Sequence, residues 1–231
     1  MHHISLDFWN TVGKPNPSYS QPRNEVLADF FNVDVATAAA GYKITKDWFI
    51  AMAENEGLGY DQEQNLTRLY YHFGAASDYA CLADLGRRLD EVFLAYPPTI
   101  DPALVDVLAR VCRAGITLSI GSNTDFVMGH SIRQVLGDLD FSFFVFSDEL
   151  KFAKPASAFF ERVRVEAMAV NADVRFEGDI LHVGDSHRCD IWGGLQYGMQ
   201  TAFTKDADQT AEVIEALLQE RSQAASTKEY V

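Results

Sequence analysis

The apolar positions of this chain change their spacing along its length, and the changes divide it into three stretches. At the start Ile4, Leu6 and Phe8 are apolar in a β-favourable context, which predicts a first strand ending at Asp7 or Phe8. From Gly13 to about Pro97 the pattern turns helical, with segments at 21–32, 35–56, 62–75 and 78–96 separated by Gly, Asp and Pro signals. Asp101 before Pro102, with Gly115 after the run, brackets a further helix: an N-cap side chain, a proline in the first turn and a terminating glycine. Beyond it strands are predicted at 116–122, 141–146, 180–184 and 201–204, with helices at 125–136, 157–170 and 190–197 between them.

Strands alternating with helices predict an α/β fold, a Rossmann-like parallel sheet with helices on both faces. The helical stretch falls between the first and second strands. It is therefore expected to form an inserted all-helical cap, residues 14–97, over a core built from residues 1–13 and 98–231. In such a sheet ligands bind beyond the carboxyl ends of the strands.

With 231 residues, 48% of them hydrophobic, the chain can build one substantial core and a smaller second unit. A net charge of −14 argues against nucleic acid or an anionic membrane as a partner, since the overall field repels polyanions. A small phosphorylated substrate would need a local positive site. Cys81, Cys112 and Cys189 are widely spaced and form no CxxC pair, so neither a disulfide framework nor a zinc site is indicated. No apolar run approaches the roughly 20 residues that span a bilayer, and MHHISLDF lacks the basic start of a signal peptide. The expected location is a reducing cytoplasm.

Four polar clusters stand at the ends of hydrophobic runs: Asp7 in ISLDFWNTV, Ser122 in LSIGSN, Lys154 in LKFAKP, and Asp185 with Asp190 in LHVGDSHRCD. Singly, each has an ordinary structural reading. An aspartate after a strand is often a turn residue, Ser122-Asn123-Thr124 is a normal helix entry, and Asp190 suits the first turn of a helix. Jointly they supply a carboxylate nucleophile, a hydroxyl, an ammonium and a pair of acids, the parts needed to hold a phosphoryl group beside a hard metal ion. Mg2+ favours a few carboxylates with carbonyls and waters. Asp7, the Trp9 backbone carbonyl and Asp185 would give it three oxygens, with Asp190 either a further ligand or an acceptor for metal-bound water. His187 has the chemistry of a proton carrier. Arg23, Lys43, Lys46 and His72 are candidate substrate contacts from the cap, whereas Trp48, Phe49, Tyr70 and Tyr71 read as helix-packing residues.

The clusters, their order and the helical insertion after the first strand resemble the haloacid dehalogenase superfamily of hydrolases across nearly the whole chain. The resemblance implies a covalent mechanism in which Asp7 is the nucleophile and Thr11 the threonine of the same motif. Ser122 with Asn123 matches the hydroxyl motif, and Lys154-Pro155 the lysine motif, ahead of Lys151. Gly184-Asp185-Ser186 with Asp190 matches the acidic motif that holds magnesium. One position departs. Family phosphatases place an acid two residues after the nucleophile to protonate the leaving oxygen, and here that residue is Trp9, whose indole donates a hydrogen bond but does not titrate usefully. The dehalogenase branch carries an aromatic residue there but replaces the motif acids that this chain keeps. The phosphonatase branch lacks the acid, keeps the metal and uses a cap lysine, for which Lys43 and Lys46 are the candidates. The expectation is a magnesium-dependent phosphohydrolase of a small phosphorylated metabolite. The alternatives are carbon–halogen or carbon–phosphorus hydrolysis, or a catalytically silent protein that binds a phosphorylated metabolite.

Overall fold

The computed structural model describes residues 1–75 and 78–228, with side chains described as far as residue 220; residues 76, 77 and 229–231, which the expected cap and core spans include, lie outside it. Every residue of β1 (His3–Leu6) is buried, so this strand is covered on both faces, as a central strand of a parallel sheet must be. The chain then passes through a two-residue strand, β2 (Gly13–Lys14), into four helices: α1 (Ser20–Phe31), α2 (Val35–Glu56), α3 (Gln62–His72) and α4 (Tyr79–Ala95). It returns along β3 (Thr99–Ile100), which pairs antiparallel with β2, so the helical insertion leaves and re-enters at one place. There follow α5 (Pro102–Arg113), β4 (Thr117–Ser122), α6 (Gly129–Leu136), β5 (Phe143–Phe146), α7 (Ser147–Leu150), α8 (Ser157–Val170) and β6 (Ile180–Gly184). A π-helical turn over His187–Trp192 leads into α9 (Gly193–Tyr197), β7 (Gln200–Phe203) and α10 (Thr210–Lys228).

The fold is α/β, a five-stranded parallel sheet ordered β5-β4-β1-β6-β7 and flanked by helices. Leu6 stands opposite Ile120 on one side and Val183 on the other, which brings the ends of three strands to one edge. Ile4, Leu6, Val107, Ile120 and Val183 belong to the apolar core around this sheet. Leu27, Tyr42, Leu66, Leu85 and Leu89 belong to a second core among α1–α4, which Phe126 joins from the loop after β4. Asp34, Asp61, Asp78 and Asp101 each accept a backbone N–H at a helix start, which makes these four boundaries local and readable. Such caps contribute about 1 kcal/mol each.

The structure corrects several boundaries. β1 stops at Leu6, because the Phe8 carbonyl accepts the N–H groups of Val12 (2.9 Å) and Gly13 (2.8 Å) and folds the next residues into a tight loop. The helix expected from residue 125 begins at Gly129, since Asp125 turns its carboxylate back onto the N–H groups of Phe126 (2.5 Å) and Val127 (3.4 Å). The segment expected as a helix from residue 190 starts earlier, as the π-helical turn from His187. The β2–β3 ribbon, α7 and the long α10 have no counterpart in the sequence pattern. Tyr71, expected to pack, is 83% exposed.

Candidate active site

Asp7 is the first residue beyond β1, and its N–H donates to Val183 O across the sheet at 2.9 Å. The loop that follows requires a left-handed residue at Asn10, φ 54°, a conformation asparagine tolerates better than most. That turn aims the Asn10 side chain at Asp185, whose Oδ2 accepts from Asn10 Nδ2 at 3.0 Å. Lys154 lies in the loop before α8 and is 2% exposed. Its ammonium donates to Asp7 Oδ1 at 2.7 Å and to Asp190 Oδ1 at 2.6 Å. Asn123 grips the lysine backbone from both sides: its Nδ2 donates to Lys154 O (2.9 Å), and Lys154 N–H donates to its Oδ1 (2.7 Å).

Asp190 is held on every side. Besides Lys154, its Oδ1 accepts from His182 Nε2 (3.0 Å), and its Oδ2 accepts the Ser186 N–H (2.9 Å). An ionised carboxylate only accepts, so Nε2 carries the His182 proton and Nδ1 accepts from Ser5 Oγ at 3.1 Å. Burial lowers the His182 pKa, consistent with a neutral ring. Gly184 is required here because a Cβ at that position would overlap the Asp190 carboxyl group.

Asp7, Asp185 and Asp190 bring one carboxylate oxygen each to within 4.8 Å of one another, against a single buried ammonium. Burial, opposed by Lys154 and reinforced by Asp190 and Asp185, pushes the Asp7 carboxyl up to about 7. Burial acts on Asp190 in the same direction, but Lys154 and His182 outweigh it and hold that carboxyl well below the usual range. Lys154, which burial alone would discharge, is kept protonated by Asp190 and Asp7. The surplus of hard oxygen donors over positive charge suits a divalent cation such as Mg2+. Among the described residues Asp7 Oδ2 and Asp185 Oδ1 make no hydrogen bond, whereas both oxygens of Asp190 are already engaged by the protein. The open donors are therefore Asp7 and Asp185, and Asp190 is placed to brace Lys154.

A cavity of about 300 Å³ opens beside this cluster, lined by Asp7, Trp9, Lys154, Asp185 and Asp190 from the core and by α2 from the insertion. The Trp9 ring packs edge-on against Phe8 (5.0 Å between centroids) and Phe93 of α4 (6.2 Å). Ser122 and Thr11 are fully buried and do not line the cavity. The Ser122 hydroxyl donates to Asn123 O at 3.2 Å, and Thr11 Oγ1 has no hydrogen-bond partner among the described residues. Lys46 lines the cavity and pairs with Asp125 at 2.8 Å. The other cap candidates lie elsewhere: Lys43 pairs with Asp47 (2.5 Å), Arg23 lies 3.7 Å over the Tyr42 ring, and His72 is exposed at the end of α3. His187 stacks on Phe203 at 4.2 Å, and Lys151 pairs with Asp61 at 2.7 Å.

His182 and Asn10 escaped the sequence reading. A histidine inside the otherwise apolar strand ILHVG was a usable signal, because a buried imidazole needs partners. Asn10 carried none, since its left-handed turn depends on where the loop closes. A larger groove of about 740 Å³, lined by Trp48, Tyr60, Arg68 and Tyr71, lies on the insertion and lacks the carboxylate cluster.

No family profile matches the sequence, and no curated protein is similar enough to match it. Solved structures do match. A HAD-hydrolase from Bacillus subtilis bound to magnesium aligns at 19% identity and TM-score 0.65 over 93% of this chain and 98% of its own. A 2-haloacid dehalogenase from Pseudomonas syringae pv. Tomato aligns at 19% identity and TM-score 0.64 over 94% and 100%. A HAD phosphatase from Thermococcus onnurineus aligns at 13% identity and TM-score 0.59 over 93% and 98%. These likenesses are of fold.

Proposed function

We propose that this chain, which has the fold of haloacid dehalogenase superfamily hydrolases, is a magnesium-dependent phosphohydrolase that cleaves a small phosphorylated metabolite through an aspartyl-phosphate on Asp7. The observation that carries the reading is the buried ammonium of Lys154 fixed among three carboxylates, one of which, Asp7, has an oxygen free to attack. Displacement of a halide needs neither the second and third acids nor a cation beside them, whereas transfer of a charged phosphoryl group needs both.

Asp7, Asp185 and the Trp9 backbone carbonyl would hold Mg2+, which when bound supplies positive charge against the repulsion between an attacking carboxylate and phosphoryl oxygens. Lys154 holds Asp7 Oδ1 while Oδ2 stays open to the cavity, and the same ammonium limits repulsion among the acids. Asn123 fixes the height of Lys154, and His182 with Ser186 fixes Asp190 as its second partner. Ser122, at the end of the strand beside Asp7, lies behind the cavity lining, where its hydroxyl donates to Asn123 O at 3.2 Å and supports the residue that grips Lys154.

Trp9 favours a second reading, carbon–halogen hydrolysis, because halide leaves without a proton and the position two residues after the nucleophile is then free to be aromatic. A panel of phosphorylated metabolites, phosphonates and 2-haloacids, assayed with Mg2+ and with chelator, separates the two. Magnesium-dependent phosphate release supports the first; metal-independent halide release would replace it with the second. Saturable binding of a phosphorylated compound with no product in either condition would leave a binding protein.

A further inference from the structure

The face of α2 that meets the cavity reads Lys46, Phe49, Ile50, Ala53 and Glu54, the i, i+3, i+4, i+7, i+8 stripe along one side of a helix. Its polar ends are about 12 Å apart at 1.5 Å per residue, and they differ. Lys46 is paired with Asp125, whereas Glu54, half-buried, makes no hydrogen bond or ion pair among the described residues. The other carboxyl groups lining the cavity are engaged: Asp7 and Asp190 by Lys154, Asp185 by Asn10, and Asp125 by Lys46. One carboxyl is thus left over, and one role is unfilled, because Trp9 cannot move a proton.

We infer that Glu54 is the general acid and base of this site, supplied from the insertion in place of a residue on the Asp7 loop. The inference rests on the phosphohydrolase reading above. In an in-line displacement the attacking and leaving oxygens lie on opposite sides of phosphorus. Asp7 and Glu54 line the same cavity of about 300 Å³, so the leaving oxygen of a phosphoryl group held at Asp7 lies in the space that α2 borders. As the bond from Asp7 to phosphorus forms, the bond from phosphorus to the leaving oxygen breaks, and the Glu54 proton passes to that oxygen to release the alcohol. The Glu54 carboxylate then takes a proton from water while the water oxygen attacks the aspartyl-phosphate. Phosphate departs, Asp7 returns as a carboxylate and Glu54 as the acid. A phenylalanine, an isoleucine and an alanine between Lys46 and Glu54 make the α2 face of the cavity apolar.

The test compares Glu54→Gln with wild type on p-nitrophenyl phosphate and phenyl phosphate in Mg2+, with circular dichroism and thermal melting to verify the fold. Glu54 is at the cavity surface and glutamine nearly matches its volume, so the variant is expected to fold. The p-nitrophenolate leaves without a proton, so the variant should release a burst approaching one p-nitrophenol per chain. It should then stall with phosphate trapped on Asp7, its steady rate reduced about 10²-fold, a general acid–base loss. Phenyl phosphate should show no burst and a comparable or larger loss. Wild-type rates on both esters, or equal slowing of both with no burst, would overturn the role of Glu54 while leaving the phosphohydrolase reading standing. Failure of the wild type to hydrolyse either ester with Mg2+ would overturn both.

Discussion

Asp7 sits where chemistry and stability oppose one another. Its folded pKa of about 7 lies above the ordinary 3.8, so folding favours the neutral form; its contribution to stability is greatest below 3.8 and is lost as pH rises through 7. Asp7→Asn keeps the shape and removes the charge. It should abolish turnover and, without metal at pH 8, raise the melting temperature measured by calorimetry; a lower melting temperature would mean that the ion pair with Lys154 outweighs burial. A second expectation concerns Trp9. In the Glu54→Gln background, Trp9→Asp should restore phenyl phosphate hydrolysis by tenfold or more, about the lower range of acid–base assistance, measured as kcat in the folded double variant. The ring contacts Phe8 and Phe93, so the double variant should also lose a few kcal/mol, roughly the scale of aromatic truncation in a core. Asp7 and Lys154 were legible because each closes an apolar run, a local signal. Glu54 was not, since one acid among many on a helix gains meaning only from what faces it.

At the scale of elements, β1 carries an unusual load: His3 and Ser5 lie inside a central strand with no exposed surface. His3 is accommodated because its ring bonds Thr117 Oγ1 and Ser119 Oγ, both at 2.8 Å, and stacks on Phe143. Burial lowers its pKa from 6.5 to about 3. The neutral ring is the folded form, so its contribution is complete above 6.5 and is lost as pH falls from there toward 3. Between those limits one proton is taken up on unfolding, worth about 1.4 kcal/mol per pH unit. Urea unfolding at pH 7, 6 and 5 should show wild type losing stability faster than His3→Gln by up to that amount per unit; parallel pH curves would show that His3 titrates freely in the fold. Helices α2, α3, α4 and α5 were readable from their aspartate caps, which act within three residues. The onset of α6 was not, because Asp125 looks like a cap yet is held by Lys46 from α2, a partner distant in sequence.

Across the whole molecule, a net charge of −14 surrounds a cavity that, on the phosphohydrolase proposal, admits an anion. Lys46 and Lys154 act at short range, and the rest of the surface repels. Raising ionic strength from about 10 mM to about 150 mM shrinks the screening length from about 30 Å to about 8 Å. It should therefore increase kcat/KM for a dianionic phosphate ester, the reverse of what a basic protein shows; a fall with salt would mean that the local cations dominate approach. The amino-acid sequence by itself determined the α/β class, the all-helical insertion after the first strand and the residues that end β4, β5 and β6. Apolar periodicity, caps and turn residues are properties of neighbours along the chain. Tertiary structure alone decided that His182 and Ser186 brace Asp190, that Asn10 reaches Asp185 and that Glu54, unpaired among the described residues, shares a cavity with Asp7. Those meetings depend on sheet register and on how α2 lies across the strand ends. Both are set by packing between segments far apart in the chain, and spacing along it does not encode them.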